Sequence, residues 1–336
     1  MATTAEPAAS PAPAAPIFGE DRPWLAVMLA AALIEMVHWV LCWSAGIAPA
    51  PLLGAYLGFA LAALFLAFAA RSAMLPGQRI DNWPIALAAV SLVAVGASLF
   101  LPLKYAIPAE VPFWLDPALA TAERGLFGAD PWQLLDRWFG WATSPLDRLY
   151  GLWLPVQSVI LFLVVLARPG PAKSRALISY SLAWLVLGVV AAAAFSSAGP
   201  LFYDRVLGGT EFASLRPALE GRGAWMAIAE SDAMWRSLAS GRPDLIAGIS
   251  AMPSLHVAIS AWMVMAARSM APRLASAAVV YTALIWIASV QLGWHYVADG
   301  LAGIAGMAAI WAVGGLVERR LDGPSLEPAE AAISVR

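Results

Sequence analysis

The chain has 336 residues, 61% of them apolar and only 12% charged, about half the charged share of an ordinary soluble domain. That composition excludes a water-exposed surface over most of the molecule, and a net charge of −2 leaves no basic footprint for nucleic acid. The single Cys42 excludes an internal disulfide and reads as a small buried hydrophobe.

Residues 1–22 are rich in Ala and Pro and read as a disordered cytoplasmic tail. Glu6, Glu20 and Asp21 deny them the basic start of a signal peptide. A spanning helix needs about 20 mostly apolar residues. Eight stretches qualify, near 24–45, 51–71, 83–103, 149–168, 176–195, 253–271, 275–292 and 296–317. Glu35 and His38 stand three apart in the first, placed to pair on one face or to make a polar contact with another helix.

The long segments 104–148 and 196–252 contain short amphipathic runs such as Pro131-Trp132-Gln133-Leu134-Leu135-Asp136-Arg137-Trp138, which suit helices lying in the interface. The expected fold is therefore all-α: a polytopic membrane bundle of about eight spans with interfacial helices in two long outer loops. An N-terminal transmembrane region would cover 23–148, a catalytic membrane domain 149–320, and a loose tail 321–336.

Short-loop charges set the orientation. Arg71 and Arg79, then Arg168, Lys173 and Arg175, then Arg268 and Arg273, and finally Arg319 and Arg320 fall on one side if both termini are cytoplasmic. The long segments then face the periplasm or lumen.

Two of the three histidines sit in compact polar motifs, Pro253-Ser254-Leu255-His256 and His295-Tyr296-Val297-Ala298-Asp299. The spans between them form a down-and-up pair, so both imidazoles end at the same outer face. Asp299, four residues after His295, is placed to accept from Nδ1 and leave Nε2 free to attack. Ser250 is a candidate N-cap, with Pro253, Ser254 and His256 in the first helical turn, where free N–H groups favour an anion.

Together the two motifs resemble the second and third signature motifs of the type 2 phosphatidic acid phosphatase superfamily. The Leu in Pro-Ser-Leu-His and the later His-Tyr-x-x-Asp are closest to the branch containing fungal inositol phosphorylceramide synthase. Gly248-Ile249-Ser250-Ala251-Met252 and Ala302-Gly303 fit as well, so the resemblance covers mainly 196–306. It implies a lipid phosphotransferase in which His295 is the nucleophile, Asp299 orients it, His256 acts as acid and then base, and Ser254 holds phosphate. Neither a metal nor another cofactor is expected; the partners are the membrane and a lipid substrate, and the oligomeric state is open.

Two departures accompany the resemblance. The phosphatase pattern has Ser-Arg where this chain has Ala288 and Ser289, and the Lys expected ahead of Arg216-Pro217 is Gly209. A transferring phosphoryl group still needs a cation. Arg205 is the leading candidate and Lys104 the weaker one, its default being an interfacial lysine. The alternatives are a lipid phosphate phosphatase, in which water is the acceptor, and a non-enzymatic lipid transporter.

Overall fold

A chain in lipid must satisfy its backbone N–H and C=O groups within the segment itself, so long apolar runs fold as helices. The computed structural model describes residues 19–77, 83–240 and 248–321, and among these there are helices and no strand. The N-terminal helices are α1 (Arg22–Ser44), α2 (Leu53–Met74) and α3 (Trp83–Glu110). Then come the short α4 (Asp116–Phe127), α5 (Pro131–Phe139) and α6 (Thr143–Gly151), and α7 (Trp153–Val165). The next rod is α8 (Pro171–Leu185), a π-helical turn (Val186–Ala191) and α9 (Ala192–Ala194). A second set of short helices follows: α10 (Pro200–Leu207), α11 (Leu215–Gly221) and α12 (Trp225–Ser240). The chain closes with α13 (Leu255–Met270), α14 (Ala275–Gln291) and α15 (Val297–Leu321).

Among the described residues six helices are long and apolar enough to span a bilayer, and a seventh arises if α5–α6 and α7, bent by 46°, count as one broken span. The eight expected crossings differ at α13. Its 16 residues rise about 24 Å, short of the ~30 Å hydrocarbon core. The two long segments fold into the short helices, α5 coinciding with the amphipathic run. Starts follow proline placement, with Pro23, Pro117, Pro131, Pro171 and Pro200 in first turns, where a missing N–H costs nothing.

The rod Pro171–Ala194 is the most buried of the spans, 61% of its apolar window lying inside the molecule. It packs against α1, α13 and α15, so the N-terminal helices and the C-terminal hairpin share it as a spine. Its π-helical turn places Leu187 and Gly188 on a cavity wall, and such turns often accompany functional sites.

Residues 1–18, 78–82 and 322–336 lie outside the described residues, and with them most of both expected tails and Arg79. The end of the N-terminal tail departs from expectation. Gly19–Asp21 forms a helical turn, and Asp21 is buried against Lys173 at 2.7 Å and accepts from Trp24 Nε1 at 2.7 Å. Lys173 is therefore a paired buried charge, unlike the arginines of the same charge cluster.

Candidate active site

The site begins where the loop 248–254 enters α13. Ser254 has extended backbone angles and its Oγ accepts from Val257 N at 3.4 Å, making it the N-cap. Ser250, the expected cap, sits four residues earlier in the loop, where it lines the cavity described below. Pro253 thus precedes the helix, and His256 is its second residue. Tyr150 stacks on the His256 ring at 4.5 Å and Trp153 lies 4.2 Å from it, while Trp153 Nε1 donates to the His256 carbonyl at 3.1 Å. The imidazole is therefore fixed in orientation by α6 and α7.

His295 lies in the turn between α14 and α15, two residues before the helix, and its N–H donates to the Ser289 carbonyl at 3.1 Å. Its Nδ1 meets Asp299 Oδ2 at 3.2 Å. The same oxygen accepts from Tyr296 N at 3.0 Å, as in a capping box, where the third helical residue satisfies the cap's N–H. One carboxylate therefore both starts α15 and orients the imidazole. His295 is 6% exposed and Asp299 fully buried, so water offers little competition for either contact.

The backbone itself joins the two motifs. Ser254 N donates to the Asp299 carbonyl at 2.9 Å, and Gly303 lies so close that a Cβ there would stand 2.5 Å from Ser254 O. The two imidazole rings end with centroids 6.2 Å apart, inclined at 60°.

A supporting layer comes from α4, which the sequence did not single out. Asp116 accepts from Ala198 N and Gly199 N, each at 2.8 Å, and from the Tyr296 hydroxyl at 3.2 Å. Glu123 accepts from Ala298 N at 2.9 Å. Burial raises the Asp116 carboxyl above its usual range against the pull of those N–H donors, and raises Glu123 to about 7. Gly199 has φ +84°, and a Cβ there would collide with the Trp294 carbonyl, so glycine is needed where the 196–199 turn passes His295. Acids spread over a charged segment look solvated in sequence, and their partners lie 82 to 180 residues away.

Both imidazoles line one cavity of about 410 Å³, with Lys104, Glu230, Ser250, Tyr150 and Trp294 among its polar and aromatic walls. Among the described residues Lys104 is the cation on that wall. Gly248 packs directly on it, so the loop ahead of α13 covers this lysine. Arg205 lies elsewhere. It bonds Asp232 at 3.0 Å and stacks over Trp235, and it is absent from the cavity lining. Asp232 also takes both Arg216 nitrogens, and these guanidinium contacts hold its carboxyl down at about 2. Lys104, and not Arg205, thus lines the cavity that holds the two imidazoles. Ser289, at the position of the family's arginine, is fully buried with its Oγ turned back to the Trp286 carbonyl.

A second, apolar chamber shares Tyr56, Ala97, Phe100, Leu154 and Trp184 with the first, and buried Glu35 stands in its wall. The expected Glu35–His38 pair does not form. Glu35 faces the bundle, while His38 reaches Glu110 of α3 at 3.4 Å.

Comparisons with curated proteins and with solved structures return no match to this chain. Residues 117–313 match the family model described as the PAP2 superfamily. That stretch begins with α4 and takes in both histidine motifs and the turn that Asp116 anchors. Covering more than half of the 336 residues, it shows that the chain belongs to the PAP2 superfamily.

Proposed function

We propose that this membrane protein is a lipid phosphotransferase that passes a phosphorylated group through His295 to an alcohol acceptor. Superfamily membership supports phosphatase- or phosphotransferase-type chemistry on lipid phosphates. The observation that carries the finer reading is the cavity in which His256, His295 and Lys104 meet between apolar walls. A phosphate has a cation and two imidazoles there, and its hydrocarbon has somewhere to lie.

In the first step Nε2 of His295 attacks phosphorus, the P–O bond to the donor alkoxide breaks, and His256 supplies the proton that the alkoxide takes up. Asp299 on Nδ1 holds the tautomer that leaves Nε2 unprotonated and stabilises the cation formed. In the second step His256 removes the acceptor hydroxyl's proton, that oxygen attacks phosphorus, and the P–N bond breaks. One group acting as acid and then base is what a two-step displacement requires. Lys104 offsets charge on the transferring oxygens, and Ser250 binds phosphate beside it, whereas Ser254, expected to hold phosphate, is fully buried as the cap of α13 and is absent from the cavity lining. The scheme calls on no metal ion. Arg205 serves instead to hold α10 against α12.

Transfer is favoured over hydrolysis because a second chamber joins the first, giving an acceptor tail a place of its own. The likeness to inositol phosphorylceramide synthase rests on Leu255 and on Ser289 in place of arginine. The arginines beside the short loops favour a site on the periplasmic or luminal face, with both termini cytoplasmic. The family match begins at 117, so we extend the catalytic region from the expected 149 back to include α4–α6. The first three spans then supply Lys104 and the tail chamber.

Purified protein given a phospholipid labelled in its phosphate, with and without candidate alcohols, tests the reading. A new labelled lipid is the expected product; release of inorganic phosphate alone would make the protein a phosphatase.

Glu230 adds a pH dependence. It lies on α12, outside the spans, and burial together with the nearby Asp147 charge raises it to about 7. It is neutral below that pH and anionic above it, where it repels phosphate across the cavity. Activity is expected to fall as pH rises through about 7, and Glu230→Gln should flatten that limb of the rate profile. An unchanged limb in the variant would assign it to another group.

A further inference from the structure

The chain's one cysteine and its one histidine outside the two motifs meet at a single carboxylate oxygen. Cys42 and His38 are four apart on α1, one turn from each other on one face. Glu110 closes the group from the last turn of α3. Its Oε1 lies 3.0 Å from Cys42 Sγ and 3.4 Å from His38 Nε2, and the three atoms all fall within 4.8 Å of one another.

We propose that this trio is a zinc site clipping α1 to α3. Zinc bonds of about 2.0–2.3 Å to nitrogen, oxygen and sulfur put tetrahedral ligands roughly 3.3–3.7 Å apart. The observed separations need only small side-chain shifts to reach that spacing. The donor set is one thiolate, one imidazole and one carboxylate. Zinc accepts all three, whereas magnesium and calcium require oxygens. Cys42 is buried, while His38 and Glu110 keep 37% and 29% of their side chains exposed. An ion can therefore enter past the two rim ligands and keep water in a fourth position. In the form seen here the thiol hydrogen bonds to Glu110. On binding, that proton is released and the S–H···O contact is replaced by S–Zn and O–Zn bonds. Trp39 Nε1 bonds the Pro49 carbonyl at 2.8 Å, tying the chain after α1 back onto the same helix.

The sequence expectation was that no metal is bound. Glu110 is 72 residues from His38, so no ligand spacing is visible until α1 and α3 pack. None of the three residues lines the cavity that holds the two motif histidines, and the site's existence does not depend on the proposed reaction.

The test uses full-length protein in detergent, stripped with chelator, then given zinc chloride and desalted. The expected result is one zinc per chain, and a cobalt-substituted sample showing a thiolate-to-metal charge-transfer band. Cys42→Ser and His38→Ala should each weaken zinc binding about a hundredfold or more, since even outer-sphere changes cost ten- to a hundredfold. A readout on the unaltered chain guards against variants that fail to fold. Cys42 is the only thiol, so zinc should slow its alkylation by a maleimide about tenfold or more, because the bound thiolate is not free to react. No retained zinc, retention undiminished in both variants, or an alkylation rate indifferent to zinc would each overturn the proposal.

Discussion

Replacing His295 with Ala is expected to lower turnover by roughly six orders of magnitude, the scale lost when a covalent nucleophile is removed from a concerted set of groups. His256→Ala should cost about 10²–10⁴, the usual share of general acid–base catalysis. The two differ in how they respond to the leaving group. With a phosphate ester of an acidic phenol, the departing oxygen needs no proton. The first-step defect of His256→Ala should then largely disappear, while that of His295→Ala persists. Single-turnover rates on a lipid ester and a nitrophenyl ester would show the split, with detergent chromatography and far-ultraviolet circular dichroism reporting that both variants fold. If His295→Ala turned over at the normal rate, the covalent scheme would be wrong.

The second large effect separates the two cations. Lys104→Ala should reduce kcat by about 10²–10³, the range for removing one charge-stabilising donor from a transition state. Arg205→Ala should leave kcat within about tenfold, because its guanidinium is already engaged by Asp232 and partly exposed. Lys104→Arg is expected to recover part of the loss, since charge is kept while geometry changes. Equal losses in the Ala variants would mean that Arg205 acts on the substrate after a rearrangement, and would remove Lys104 from its assigned role.

Apolar run length located the long spanning helices but not their number, six to seven among the described residues against the eight expected, and the two histidine motifs could be placed together from helix lengths alone. Side-chain assignments that depend on a third element could not. Glu35 and His38 have the spacing of a pair, but α3 brings Glu110 to His38 and leaves Glu35 facing the interior. Ser250 and Ser254 are both plausible caps before an apolar run, and only the bond to Val257 N decides between them. Lys104 looks like an interfacial lysine at the edge of an apolar run. The span runs on to Glu110, and Gly248 closes over the lysine from a loop more than a hundred residues later. Asp116 and Glu123 were hidden for a related reason. A carboxylate that caps backbone N–H groups of a distant turn leaves no local pattern.

The bond from Ser254 N–H to the Asp299 carbonyl, with Gly303 packed beneath it, gives the separation of the two imidazoles to the main chain. Proton donor and nucleophile then move as one body, and their alignment is insensitive to what else binds. In the proposed reaction, headgroups of different size would be accommodated by the rest of the lining, which includes Lys104, Glu230 and the strip from Gly248 to Ser250. Choice of substrate and chemistry are thereby carried by different parts of the chain. Substitutions on the apolar part of that lining, such as Leu101 and Met234, are then expected to change which lipid is used while the geometry of the two imidazoles stays intact.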